Sequence, residues 1–159
     1  MRASSESTRA LGGAIVGLLY GSILAYLSLL AGGSGHGSNL PIFLSSAPLV
    51  VFWLGADLVV NTLEVGLFAT LVGTPLLWAM FGWLAARSGR GKRLAQVLLL
   101  LHYALGLALY ATRGEELPHL QRLLRVTPEF VVAWAMVYLV GQVALWWRIS
   151  RRNQLPPAI

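Results

Sequence analysis

The chain has 159 residues, 57% of them hydrophobic and only 11% charged, with a mean hydropathy of +0.69 and a formal net charge of +6. A soluble domain carries about 25% charge, and a globule of this length buries a core with far fewer apolar residues, so the surplus must face a bilayer. The absence of cysteine excludes thiol chemistry, disulfides, zinc–thiolate sites and iron–sulfur clusters.

A helix that crosses the hydrocarbon needs about 20 mostly apolar residues. The first such run is 11–31. It follows Arg2 and Arg9, but it is longer than the 7–15-residue apolar stretch of a signal peptide, so it is read as a retained span. Within it Gly13, Gly17, Gly21 and Ala25 recur every fourth residue. Lipid tails are as apolar as leucine, so helices pair in a bilayer by close packing, and small residues collect where backbones touch. The row is therefore a helix-packing surface suited to a right-handed crossing. Its partner is either another span of this chain or another subunit.

The stretch 32–62 is expected outside the hydrocarbon. "GGSGHGSN" (32–39) reads as a flexible turn. The uninterrupted apolar part that follows, Pro48–Val60, is too short to cross. It predicts a short helix starting near Pro48, capped by Ser45 or Ser46, in the outer interface or dipping into the bundle. "NTLE" makes Asn61 and Glu64 a capping box for a second span at 63–86. In that span Gly66 and Gly73 form a second small-residue stripe, and Pro75 predicts a kink.

The basic connection 87–93, "RSGRGKR", is short and makes the second and third spans (94–112) antiparallel neighbours. "ELPHLQRLLRV" (116–126) places its leucines at helical spacing opposite Gln121, Arg122 and Arg125, which predicts an amphipathic helix on the outer surface. "TPEF" supplies Thr127 as N-cap, Pro128 at the first helical position and Glu129 in the first turn for the fourth span, 130–147. The tail is 148–159. Trp78, Trp83, Trp146 and Trp147 fall in the inner halves or ends of their spans, where indoles anchor at the interface.

Charge orients the bundle. Arg2, Arg9, Arg87, Arg90, Lys92, Arg93, Arg148, Arg151 and Arg152 fall on one side with Glu6 alone against them. Arg113, Arg122 and Arg125 fall on the other with Asp57, Glu64, Glu115, Glu116 and Glu129. The positive-inside rule places both termini in the cytoplasm, and an even number of spans requires the same. The basic surplus is thus topological and not a nucleic-acid footprint. The expected architecture is an all-α integral membrane protein. It is one membrane domain over residues 1–159, a four-transmembrane-helix bundle of the bacterial inner membrane with short interfacial helices in both outer loops.

One residue stands out for chemistry. His102, in "LLLLHYALG", lies near the middle of the third span, where ionisable groups are costly and are functional candidates by default. It is either a structural hydrogen-bonding residue, to Gln142, Tyr138 or a backbone carbonyl, or a cofactor-binding ligand to haem or a chlorophyll-type pigment. With no second intramembrane histidine, bis-histidine haem within one chain is excluded. His36 and His119 are possible outer-face contacts. No ligand spacing predicts a metal, and no P-loop, dinucleotide fingerprint, HExxH or GxSxG predicts catalysis. The expected function is a non-enzymatic structural or assembly subunit. Its partners would be bound lipid and other integral membrane subunits. A cofactor-binding subunit is the alternative, and a small transporter or membrane enzyme comes third.

Overall fold

The computed structural model describes residues 2–32, 40–60, 69–112 and 128–151. The helices are α1 (Arg2–Gly32), α2 (Leu40–Val60), a π-helical turn (Ala69–Gly73) that runs into α3 (Thr74–Ala86), α4 (Arg90–Thr112) and α5 (Pro128–Ser150). No strand occurs among the described residues. All of the expected 32–39 turn beyond Gly32, with His36, the Asn61–Glu64 box, the start of the second span with Gly66, the 116–126 helix with His119, the Thr127 cap and residues 152–159 lie outside the described residues.

Three stretches are long and apolar enough to cross a bilayer: Ser5–Ala31, Arg90–Thr112 and Glu129–Ser150. They mark the chain as a helical membrane protein. The described part of the expected second span, Thr70–Ala86, is apolar but shorter. At about 1.5 Å per residue it covers roughly 25 Å, against a hydrocarbon thickness of about 30 Å. Pro75 shows why the backbone changes there. Proline removes one i→i−4 hydrogen bond and its ring crowds the preceding turn. The turn ahead of it, Ala69–Gly73, is correspondingly wound as a π-helix before the α-helix resumes at Thr74.

The second helix departs most from the sequence reading. Helix begins already at Leu40, but two helical pieces join at a non-helical Ser46 (φ −140°, ψ 21°), so a helix does start just ahead of Pro48 with Ser46 at its boundary, and the unexpected part is the piece before it. Pro41 is tolerated because first-turn N–H groups have no intrahelical partner. Pro48 has no N–H to offer Leu44, so the regular hydrogen-bond ladder stops there. The segment before and across the break is packed inside the bundle: Pro41, Phe43, Ser45, Ser46, Ala47 and Val50 are all buried.

The most extensive contact in the molecule is between α1 and α3, which run antiparallel. The helix α2 packs on α4 and α1, and α5 lies mainly on α1. The core is built around Trp78, with Leu24, Phe81, Leu99, Trp134 and Tyr138. Outward faces stay apolar, with Leu19, Leu101, Leu139, Val140 and Val143 more than half exposed, as expected of surfaces that meet lipid.

Hydrogen bonds tie together three basic segments at one end of the molecule. Ser88 donates to Glu6 Oε1 from its backbone N–H (3.1 Å) and its hydroxyl (2.9 Å). Lys92 Nζ donates to the Arg151 carbonyl (2.7 Å). The start of α1, the α3–α4 connection and the end of α5 are therefore adjacent. The connection itself turns through Gly89, whose φ of +55° favours glycine.

Candidate functional site

The glycine row of α1 lies against α3. A Cβ at Gly13 would overlap the Gly82 carbonyl oxygen and meet Ala86 Cβ at 2.7 Å. One at Gly17 would overlap the Trp78 carbonyl oxygen and lie 2.9 Å from Ala79 Cα, and one at Gly21 would stand 2.7 Å from Pro75 Cα. Ala25 is fully buried one turn further on. The facing small residue is Gly82, where a Cβ would overlap the Gly13 carbonyl. The sequence reading had turned instead to Gly66 and Gly73. Gly73 faces α2, since its Cβ would meet Leu49 Cδ1 at 2.7 Å. Gly82 and Ala86 stand four residues apart, a small-residue spacing that marks this face and was passed over.

With α1 and α3 this close, residues from all five helices converge on the break in α2. Leu44, four residues ahead of Pro48, has lost its α-helical donor, and His102 Nε2 of α4 lies 2.8 Å from its carbonyl oxygen. Trp78 Nε1 of α3 donates to the Ser45 carbonyl (2.9 Å), and Trp134 Nε1 of α5 donates to Ser45 Oγ (3.0 Å). Ser28 Oγ of α1 reaches Ser45 Oγ (3.0 Å) and the Pro41 carbonyl (3.3 Å). Ser46 Oγ and Thr74 Oγ1 are 2.7 Å apart. Backbone carbonyls in a membrane interior must find donors inside the protein, and here side chains supply them. Gly106 allows the approach: a Cβ there would stand 3.1 Å from the Phe43 carbonyl, where α4 crosses α2 one turn beyond His102.

Trp78 is thus not an interfacial anchor but the centre of the core, 1% exposed. Trp83 and Trp147 do lie at the basic end. The guanidinium of Arg87 stacks over Trp83 at 4.1 Å and that of Arg151 over Trp147 at 3.7 Å, cation–π contacts at the chain's charged end.

A second polar cluster joins α1, α4 and α5. Tyr103 Oη donates to Gln142 Oε1, Gln142 Nε2 donates to Tyr20 Oη (3.2 Å), Tyr20 Oη donates to the Tyr138 carbonyl (3.0 Å), and Trp146 Nε1 donates to Tyr103 Oη (3.2 Å). Gly141 makes room for it, because a Cβ there would overlap the Tyr20 ring. Gln142 and Tyr138, weighed from the sequence as partners of His102, belong to this cluster. The third option, a backbone carbonyl, is the one His102 takes.

Comparison with protein-family models, curated proteins and solved structures finds no match. The chemistry must therefore be judged on the site alone. Nε2 of His102 carries the proton that faces Leu44, which leaves Nδ1 as a bare lone pair, buried and without a partner among the described residues. The imidazole is 2% exposed and lies among Trp78, Phe81 and Tyr103, with ring centroids 5.6, 5.7 and 5.9 Å away. A haem or chlorophyll-type macrocycle needs open space beside the ligating nitrogen, and Nδ1 is enclosed within the bundle. The residues present do not fit such a group. Among the described residues no three histidine or carboxylate side chains gather to hold a metal ion.

Proposed function

We propose that this protein is a non-enzymatic structural or assembly subunit of a larger complex in a bacterial cytoplasmic membrane, with four spans and both ends inside. One observation carries the reading. The interior polar side chains Ser28, Ser45, Ser46, Thr74, Trp78, His102 and Trp134 are engaged in closing the break in α2 and bonding one another. Each thereby serves to hold one helix arrangement. Such a body offers a rigid set of apolar outer faces on α4 and α5, which scarcely touch each other, and those faces suit helices of other subunits.

The orientation rests on the adjacency of the start of α1, the 87–93 connection and the end of α5 together with the positive-inside rule. The fourth crossing is assigned to residues 63–86. Because the chain has no cysteine, single-cysteine variants Ser5→Cys, Ser88→Cys and Ser150→Cys report topology without background. All three should resist a membrane-impermeant maleimide added outside intact cells and react in inverted vesicles. Labelling of Ser5→Cys and Ser150→Cys from opposite sides would refute the orientation.

The subunit role is tested by native mass spectrometry after extraction in mild detergent. Co-purification with a defined set of membrane proteins is expected, and a stable monomer with no protein companion would overturn it. The unpartnered Nδ1 of His102 is the one observation that favours the cofactor reading. An absorption spectrum decides it: Soret or Q bands abolished by His102→Ala would revive that role, and their absence ends it.

A further inference from the structure

The glycine row that lets α1 meet α3 also leaves a cleft beside it, on the face covered by α5. This cleft has a volume of about 160 Å³ and is lined by Gly13, Gly17 and Tyr20 of α1 and by Gly141, Ala144 and Arg148 of α5, with parts of α3 behind. Its walls are apolar except at the end where Arg148 stands. The register explains the shape. Residues 13, 17 and 20 share one face of α1, and 141, 144 and 148 share one face of α5. Gly141 and Ala144 carry too little side chain to fill the space between the two helices beside Tyr20. Tyr20, held by Gln142 and the Tyr138 carbonyl, closes the inner end. An open-sided cleft with apolar walls favours a stretch of hydrocarbon over water.

Arg148 supplies the second feature. Its guanidinium has no hydrogen-bond or ion-pair partner among the described residues. It stands at the basic end of the bundle, one turn beyond Ala144. Arg9 occupies the corresponding place on α1, one turn before Gly13 and exposed. An apolar slot about two helical turns long, with a free cation at the interfacial end, is complementary to a molecule with an acyl chain below an anion. In a bilayer that molecule is an anionic phospholipid. We infer that this cleft is a specific site for one acyl chain of an anionic phospholipid, whose phosphate pairs with Arg148. The charge-assisted contact fixes the headgroup, and the chain completes the packing between α1 and α5 that the small residues leave open.

The cleft shares Trp78 with the core but none of the other side chains that close the break in α2, and it stands whether or not the protein serves as an assembly subunit. The test uses the full chain in detergent with phosphatidylglycerol and phosphatidylcholine of identical chains, read by native mass spectrometry. The wild type should retain phosphatidylglycerol about fivefold better, the order of one interfacial cationic contact. Arg148→Gln should abolish that preference while keeping residual binding of both lipids. Ala144→Phe, at a residue exposed on the cleft wall, should fill the slot and lower binding of both, with helicity and melting temperature of the lipid-free protein unchanged. Equal retention of the two lipids by the wild type would overturn the inference. So would undiminished binding in Ala144→Phe, or displacement of the lipid by millimolar inorganic phosphate, which would show that the anion alone is recognised. If Ala144→Phe fails to fold, Ala144→Leu with the same readout replaces it.

Discussion

Gly17→Ala is the sharpest test of the packing described above, because general helix physics predicts the opposite sign. In an exposed helix interior, replacing glycine by alanine stabilises by about 0.5–1 kcal/mol. At Gly17 the new methyl would overlap the Trp78 carbonyl oxygen and stand 2.7 Å from the Trp78 carbonyl carbon and 2.9 Å from Ala79 Cα. Non-bonded carbons sit about 3.5–4.0 Å apart at their optimum, so α1 and α3 must separate by about 1 Å locally. These contacts are backbone atoms, and no side-chain rotation relieves them. Overpacking of this kind costs about 1–3 kcal/mol, which outweighs the propensity gain. Gly12 is the internal control, since a Cβ there meets nothing within 4 Å, and Gly12→Ala should be neutral or slightly stabilising. Unfolding in mixed micelles, followed by circular dichroism against increasing denaturing detergent, measures both variants. Equal responses, or a stabilised Gly17→Ala, would show that α1 and α3 do not meet through this row.

Three further outcomes follow from particular contacts. His102→Phe keeps an aromatic ring but leaves the Leu44 carbonyl without its donor, which should cost about 1–3 kcal/mol. In a Pro48→Ala background the restored backbone N–H can take that carbonyl, so the same substitution should cost at least about 0.5 kcal/mol less; additivity in the double-mutant cycle would contradict the pairing. Gly141→Val should drive Tyr20 out of the Gln142 cluster, seen as a changed tyrosine environment in near-ultraviolet circular dichroism and a lower melting temperature, and unaltered spectra would count against the cluster. Glu6 lies ahead of the apolar run 11–31, and the backbone N–H and hydroxyl of Ser88 hold its carboxyl below the ordinary 4.5. A lowered folded-state pKa gives stability that is present above the unfolded value and lost as pH falls through the folded one. Wild type should therefore lose its advantage over Glu6→Gln below pH 4.5, read from melting temperatures between about pH 7 and about pH 3.

Much of the helical architecture was legible from the chain, because a bilayer demands long apolar helices and little else. The three long stretches and their approximate limits follow from length and hydropathy. The glycine row was legible as a packing face, and its partner was written in the chain too, since Gly82 and Ala86 stand four residues apart. For α2, counting apolar residues from Pro48 suggested a short interfacial piece. Hydropathy does not distinguish a segment covered by lipid headgroups from one covered by its own bundle. The clue was the proline spacing: Pro48 fixes Leu44 as a carbonyl in need of a donor, and the interior offers few donors strong enough. Reading His102 as the answer to Leu44 was within reach of the sequence. The contributions of Trp78, Trp134 and Ser28 were not, because they depend on how four other helices are placed around the break.

That dependence also sets a temporal order on synthesis. Residues 40–51 leave the ribosome before Trp78, His102 and Trp134 exist. The newborn segment thus carries bare carbonyls that lipid tails cannot satisfy. It must linger at the water-accessible border until the later hydrophobic stretches have threaded, and only then slide inward. Maturation accordingly finishes with an early piece of the polypeptide, and a ribosome stalled before Trp134 would display that piece still open to solvent-borne reagents.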